Sequence, residues 1–138
     1  TDTIFLDEPT TYLDMNHQLE ILELLKKLNQ ETKKTIIMVL HDLNLSARFS
    51  DDLIAMKNGA ICYHGQVEEV MTTDILRDIF SIEAQIGQDP VHNCPILLTY
   101  QLTQISGDLR HEKNICRFNN ISSNAYVGCL SKQRINFR

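Results

Sequence analysis

Two apolar segments constrain the fold most. Each is followed directly by polar side chains, which the interior of a buried strand does not accommodate. Residues 3–6 (TIFL) precede Asp7 and Glu8, and residues 35–40 (TIIMVL) precede His41. Short runs of apolar and β-branched residues are typical of strands in a parallel sheet. Neighbouring parallel strands end at one edge of the sheet, where α/β proteins bind ligands. We therefore expect these three polar residues at one edge.

A helix is predicted between the two segments. Asp14 is a suitable N-cap, and apolar side chains then recur at helical spacing, with charged residues at the other positions. The apolar positions are Leu19, Ile21, Leu22, Leu25 and Leu28. Strand, helix and parallel strand form one right-handed crossover unit. The predicted fold class is α/β, with a partial parallel sheet flanked by helices.

The two acids after the first segment are suited to phosphate and magnesium chemistry. Mg²⁺ prefers oxygen ligands and keeps several waters, so we expect Asp7 to support the metal and Glu8 to orient or deprotonate an attacking water. His41 can donate a hydrogen bond to a phosphate oxygen or to that water, which an ionised carboxylate cannot do. The alternatives are that the acids occupy an ordinary loop and that His41 is a structural histidine.

Three motifs carry a resemblance to a known family. Residues 4–10 (IFLDEPT) resemble the Walker B segment of ATP-binding cassette (ABC) ATPases, residues 12–14 (YLD) resemble their D-loop, and His41 lies where they have a switch histidine. The resemblance implies a P-loop NTPase-like fold with ATP and Mg²⁺ as cofactors. It implies that Asp7 supports Mg²⁺ and that Glu8 is the catalytic base. It also implies that Asp14 lies at the nucleotide site facing a partner subunit and that His41 senses the γ-phosphate.

The residues around and after His41 narrow the resemblance. LHDLN at residues 40–44 and ARFSD at residues 47–51 resemble the ATPase subunits of importers of ferric siderophores, haem and cobalamin. Such a subunit would pair with a second ATPase subunit and drive transmembrane permease subunits, which receive the chelate from a substrate-binding protein. The resemblance implies a peripheral protein at the cytoplasmic face of the cell membrane. The sequence does not identify the transported chelate.

The sequence contains no Gly-Lys phosphate-binding loop, because none of its five glycines is followed by lysine. The Ser-Gly-Gly-Gln signature and the glutamine switch of the family would lie upstream of Thr1. We therefore expect the chain to be the C-terminal part of a nucleotide-binding domain. Without the amides and lysine that hold phosphates, the fragment is expected to bind ATP weakly or not at all and to be inactive by itself.

Local signals predict the remaining elements. The Asn58-Gly59 pair predicts a hairpin turn between two strands, the second of which ends by Gly65. Thr73 or Asp74 is expected to cap a helix whose apolar face holds Ile75, Leu76, Ile79 and Phe80. The predicted helices are at residues 44–49, 67–70 and 73–80, and the predicted strands are at residues 52–56, 60–63, 82–86 and 95–100.

The chain divides near residue 100. Residues 1–100 carry the resemblance and hold seven Lys or Arg against sixteen Asp or Glu. This acidic balance argues against nucleic acid as a partner. Residues 101–138 have six Lys or Arg, scattered, against two acids, which is typical of a solvated, disordered basic tail. No function is assigned to this tail, although a short strand is predicted at about residues 125–130.

The sequence argues against a membrane-spanning protein, a secreted protein and a zinc- or disulfide-stabilised protein. No apolar run approaches the ~20 residues of a membrane span, and the start does not resemble a signal peptide. The four cysteines form no Cys-x-x-Cys pair, so neither a zinc site nor a disulfide framework is expected, and a reducing compartment is favoured. His92, Asn93 and Cys94 are interpreted as a loop and not as a metal site.

Two other functions stay open. The missing lysine loop is compatible with a truncated, non-catalytic interaction module that docks on an ATPase or permease. ATPases of the DNA-repair and translation-factor branches share the acid pair and the D-loop. The short interval between Asp14 and His41 leaves no room for the coiled-coil arm of the repair branch. The amino-acid sequence after His41 favours the importer.

Overall fold

The computed structural model describes residues 2–103 and the backbone of residues 125–131. Its helices are α1 (Met15–Thr32), α2 (Leu43–Phe49), α3 (Val67–Val70) and α4 (Thr73–Phe80). Its strands are β1 (Thr3–Leu6), β2 (Thr35–Leu40), β3 (Asp52–Lys57), β4 (Ala60–Gln66), β5 (Ile82–Gln88), β6 (Pro95–Leu102) and β7 (Ala125–Ser131). The α/β class is confirmed. The disordered tail proposed for residues 101–138 falls mainly on residues 104–124 and 132–138, which lie outside the described residues.

The larger sheet has the strand order β1-β2-β7-β3-β4. Strands β1 and β2 are parallel, with Leu6 opposite Met38, as the crossover unit predicts. Strand β7 is antiparallel to both of its neighbours, β2 and β3, so β2 and β3 run in the same direction on either side of it. The short strand predicted near residue 125 therefore lies inside the sheet, a placement that the sequence did not indicate.

The core lies between this sheet and the helices. Strand β2 alternates, with Ile36, Met38 and Leu40 buried and the residues between them half-buried. Helix α1 contributes Leu22, which is fully buried, while the other predicted apolar positions of this helix are half-buried. Helix α4 buries Leu76 and Ile79 of its predicted apolar face. The predicted helical spacing thus identifies the packed faces of α1 and α4. The interpretation of both apolar segments as buried strands is wrong in part, because β2 buries alternate residues only and Phe5 of β1 is 74% exposed.

Strands β5 and β6 form a separate antiparallel hairpin. The hairpin packs against α4 through β5 and against α2 through β6. Its register shifts between Gln85 and Ile86, as in a β-bulge. The second sheet is therefore attached to the helix that follows β2.

Some predicted boundaries are wrong by a few residues. Strand β4 continues to Gln66 instead of ending by Gly65, because its pairing with β3 extends to the start of that strand. The N-cap of α4 is Thr72, whose hydroxyl accepts from the Ile75 N–H, and not Thr73 or Asp74. The predicted turn is confirmed, since Asn58 and Gly59 have φ of 52° and 77°.

Candidate functional site

The register of β1 and β2 sets the geometry of the candidate site. Leu6 lies opposite Met38, and the same count places Glu8 level with Leu40, immediately before His41. The two strands are parallel, so both segments leave the sheet at the same edge. This edge is the one at which the sequence predicts Asp7, Glu8 and His41.

Glu8 and His41 are in direct contact. The imidazole Nε2 of His41 lies 2.7 Å from Oε1 of Glu8, and the hydroxyl of Thr11 donates to Oε2 at 3.1 Å. The hydrogen bond from His41, followed by the bond from Thr11, lowers the pKa of Glu8 below its ordinary value. An ionised carboxylate only accepts hydrogen bonds, so Nε2 of His41 carries the proton in this contact.

The backbone at Glu8 is held in an unusual conformation. Its φ is 48°, in the left-handed region that residues with a Cβ rarely adopt, and Pro9 follows it directly. Such a conformation costs on the order of 1–3 kcal/mol and persists only where the surroundings fix it. Part of what fixes it is the turn in which Thr11 N–H donates to the Glu8 carbonyl at 3.1 Å.

The site is open to solvent. The side chains of His41 and Glu8 are 55% and 35% exposed, and Asp7 is exposed. A ligand can therefore reach both members of the pair from the edge of the sheet. The pair places a hydrogen-bond donor and an acceptor side by side at this edge.

Asp14 has a different local role. It is the N-cap of α1, and its Oδ1 accepts from the His17 backbone N–H at 2.9 Å and lies 2.7 Å from the His17 ring. The backbone N–H of His17 and then its ring lower the pKa of Asp14. The predicted cap is confirmed. Asp14 is exposed beside Tyr12, whose φ is 65° and whose side chain is also exposed.

Asp7 fits a magnesium ion only together with a phosphate ligand. Within the described residues, no three His, Cys, Asp or Glu side chains are grouped to hold a metal. Magnesium sites at nucleotides use one or two carboxylates, water and the phosphates themselves. The donor set at this edge is of that kind, because it offers the carboxylate of Asp7 and no protein cage.

A cleft of about 510 Å³ is lined by residues other than this pair. It is bordered by α1, α2, the start of α3 and the loop before β6, and its lining includes Lys26, Arg48, Glu68 and His92. In that loop His92 pairs with Asp89 at 2.7 Å, which agrees with its interpretation as a loop residue. The cleft holds charges of both signs and does not include Asp7, Glu8 or His41.

Sequence reasoning missed two residues near the pair. Thr11 orients the Glu8 carboxylate, and a threonine three residues after an acid in a turn is a weak signal that could have indicated it. Asn44 bonds to β6, 53 residues away along the chain. No local pattern reveals such a partner.

In the part of the chain that the structure describes, no helix is long and apolar enough to cross a membrane.

Similar proteins come from bacterial iron transport. The chain is 53% identical over 109 residues to the iron(3+)-hydroxamate import ATP-binding protein FhuC of Bacillus subtilis, covering 79% of this chain and 40% of that protein. It is 48% identical over 100 residues to the petrobactin import ATP-binding protein FpuD of Bacillus anthracis, with 72% and 37% covered. It is 41% identical over 98 residues to the ferric enterobactin transport ATP-binding protein FepC of Escherichia coli, with 71% and 36% covered.

The chain spans about 40% of the length of the curated relatives it matches. A solved structure of a metal-chelate type ABC transporter, in an inward-facing conformation, superposes with a TM-score of 0.59 at 24% identity. The match covers 70% of this chain and 40% of that one, and it supports the fold. No family model matches the chain.

Proposed function

Because its homologues are ATP-binding subunits of siderophore and iron-hydroxamate importers, we propose that this chain is part of the ATP-hydrolysing subunit of an ABC importer for iron chelates. The observation that carries the proposal is the contact of Glu8 with His41 at the shared edge of two parallel strands. An acid and an imidazole at this edge are suited to act on the end of a triphosphate.

Each polar residue has a proposed role. Asp7 would hold Mg²⁺, which would supply positive charge to offset the charge of the phosphates. Glu8 accepts a proton from, or orients, the attacking water, and Thr11 fixes its second oxygen. His41 donates from Nε2 to the γ-phosphate in place of Glu8. Asp14, exposed at the start of α1, faces a second ATPase subunit.

The chain's own contribution is positioning and charge stabilisation. Phosphoryl transfer to water involves little covalent chemistry by the protein, so a water held between Glu8 and the phosphate gains most from a fixed geometry. The strained backbone of Glu8 and the bond from Thr11 supply that geometry. When His41 donates to the phosphate, the bond from Thr11 stays and still lowers the pKa of Glu8, so the carboxylate remains ionised and able to accept.

We propose further partners. The relatives are import ATP-binding proteins, and the family resemblance implies transmembrane permease subunits as partners of this chain. The proposed assembly has two ATPase subunits at the cytoplasmic face of the membrane, with a substrate-binding protein acting through the permease. By itself this chain is expected to bind ATP weakly, since its 138 residues hold no Gly-Lys loop. Calorimetric titration with Mg-ATP measures this directly.

The test of the catalytic proposal is Glu8→Gln in the ATP-hydrolysing protein that carries this chain. Glutamine keeps the size of the side chain and an acceptor oxygen but cannot take a proton. We expect ATP binding to persist while hydrolysis falls by about 10²-fold or more, the usual contribution of a general base. Glu20→Gln is the matched control, because Glu20 is an exposed acid on α1 that accepts from Asn16. Turnover of Glu8→Gln near the unsubstituted rate would remove Glu8 from this role.

A further inference from the structure

Asn44 joins the helix after His41 to the second sheet. Its side-chain oxygen accepts from the Leu97 N–H at 2.7 Å, and its Nδ2 donates to the Leu97 carbonyl at 3.3 Å. One amide side chain thus satisfies both backbone groups of a strand residue, as a neighbouring strand would. Both bonds are partly buried, so losing them leaves two polar groups of β6 without this partner.

The start of α2 sets the turn that carries His41. The helix begins at Leu43, directly after Asp42, whose carboxylate caps it by accepting from the Leu45 N–H at 2.9 Å. His41 lies between this cap and the end of β2, and its side chain is more than half exposed. The positions of the strand end and of the helix start therefore help to set its orientation, together with its contact to Glu8.

A helix of seven residues is not stable by its own propensity, so its position depends on tertiary contacts. Packing anchors this helix along its length: Ser46, Ala47 and Phe49 are buried, and Leu43 and Leu45 pack against the core. Among the described contacts of the first turn, the Asn44 bonds to Leu97 are the side-chain hydrogen bonds that join this turn to β6. Removing them takes away the polar part of the attachment at the end of the helix that adjoins His41, while the apolar packing stays.

We propose that Asn44 is a positioning residue, which anchors the first turn of α2 to β6 and thereby holds His41 against Glu8. The β5–β6 hairpin becomes a support of the candidate site, although it contributes no side chain to it. This inference rests on the proposed role of His41. The alternative is that Asn44 only attaches the hairpin to the body of the protein, with no effect on the Glu8–His41 contact.

Nuclear magnetic resonance on this chain separates the two. In the unsubstituted protein, ring protons of His41 and side-chain protons of Glu8 should give a nuclear Overhauser cross-peak. In Asn44→Ala we expect that cross-peak to be lost, while the methyl resonances of the core stay in place. The Leu97 amide should exchange with solvent about tenfold faster, as expected for one lost hydrogen bond of average strength. Loss of the cross-peak in a folded variant is a result that simple attachment of the hairpin does not produce.

Two further variants keep the test decisive. Asn16→Ala is the matched control, because Asn16 is an exposed asparagine whose side chain bonds to Glu20 within α1. The cross-peak between His41 and Glu8 should be unchanged in this variant. Asn44→Asp keeps the oxygen that accepts from Leu97 and loses the donor. It should therefore retain a weaker cross-peak, and it decides the matter if Asn44→Ala does not fold.

The proposal fails if Asn44→Ala accelerates Leu97 exchange but leaves the cross-peak at full intensity, or if a folded Asn44→Asp variant leaves the cross-peak at full intensity. It also fails if Asn16→Ala weakens the cross-peak equally. The readout requires no nucleotide, so it stands apart from the proposed ATP hydrolysis. If Glu8→Gln retains activity while Asn44→Ala loses the cross-peak, the proposed catalytic role is wrong and the positioning contact is right.

Discussion

Replacing Leu22 with alanine is expected to destabilise the protein strongly, because this side chain is 0% exposed and joins α1 to the core cluster. Truncation removes three carbon atoms, and at about 0.8 kcal/mol for each buried methylene the transfer term is about 2.4 kcal/mol. A residual cavity adds to this, so we expect a loss of about 3–4 kcal/mol in the free energy of unfolding. Urea unfolding followed by circular dichroism measures the loss as a lower midpoint at unchanged slope.

Leu24→Ala is the control for this measurement. Leu24 lies on the same helix and has the same chemistry, but it is 61% exposed. Its truncation should change the free energy of unfolding by no more than about 0.5 kcal/mol, as is usual for surface positions. Equal losses for the two variants, or a larger loss for Leu24→Ala, would refute the packing of α1 described above.

Two further predictions concern the site and the sheet. The pKa of Glu8 is lowered from 4.5, chiefly by His41, so the contact stabilises the fold above that pH and the contribution disappears as pH falls through the folded-state pKa. The stability difference between the unsubstituted protein and His41→Ala should therefore shrink as the pH falls below 4.5 and through the folded-state pKa of Glu8. A difference in the free energy of unfolding in urea that stays constant over this range would contradict the prediction. Gly128→Pro places proline in β7, which pairs on both sides, and should cost about 1–3 kcal/mol for each ladder bond lost. If the melting temperature of Gly128→Pro equals that of the unsubstituted protein, β7 does not lie within the sheet.

Much of the fold could be predicted because its signals are local. The β-branched run before His41 marks β2, and the spacing of leucines after Asp14 marks α1 and its buried face. The Asn58-Gly59 pair marks the hairpin, since few other residues adopt two successive positive φ angles. Errors fall at boundaries such as the end of β4 and the cap of α4, where pairing and geometry decide between adjacent residues.

The sequence predicted which residues form the candidate site better than it predicted their contacts. The placement of Glu8 and His41 at one edge follows from parallel strands, and their 2.7 Å contact agrees with it. The roles of Asp7, Glu8, Asp14 and His41 remain predictions. Thr11 and Asn44 were missed because each acts through a partner that composition and periodicity do not reveal.

The sequence by itself determined the elements and their buried faces, since these depend on contacts between residues a few positions apart. It also determined which chemical groups follow β1 and β2. Only the tertiary structure decided that β7 lies between β2 and β3, and that Asn44 pairs with Leu97. Both involve residues more than fifty positions apart, and the backbone hydrogen bonds of a strand carry no residue-specific signal for the partner that will satisfy them.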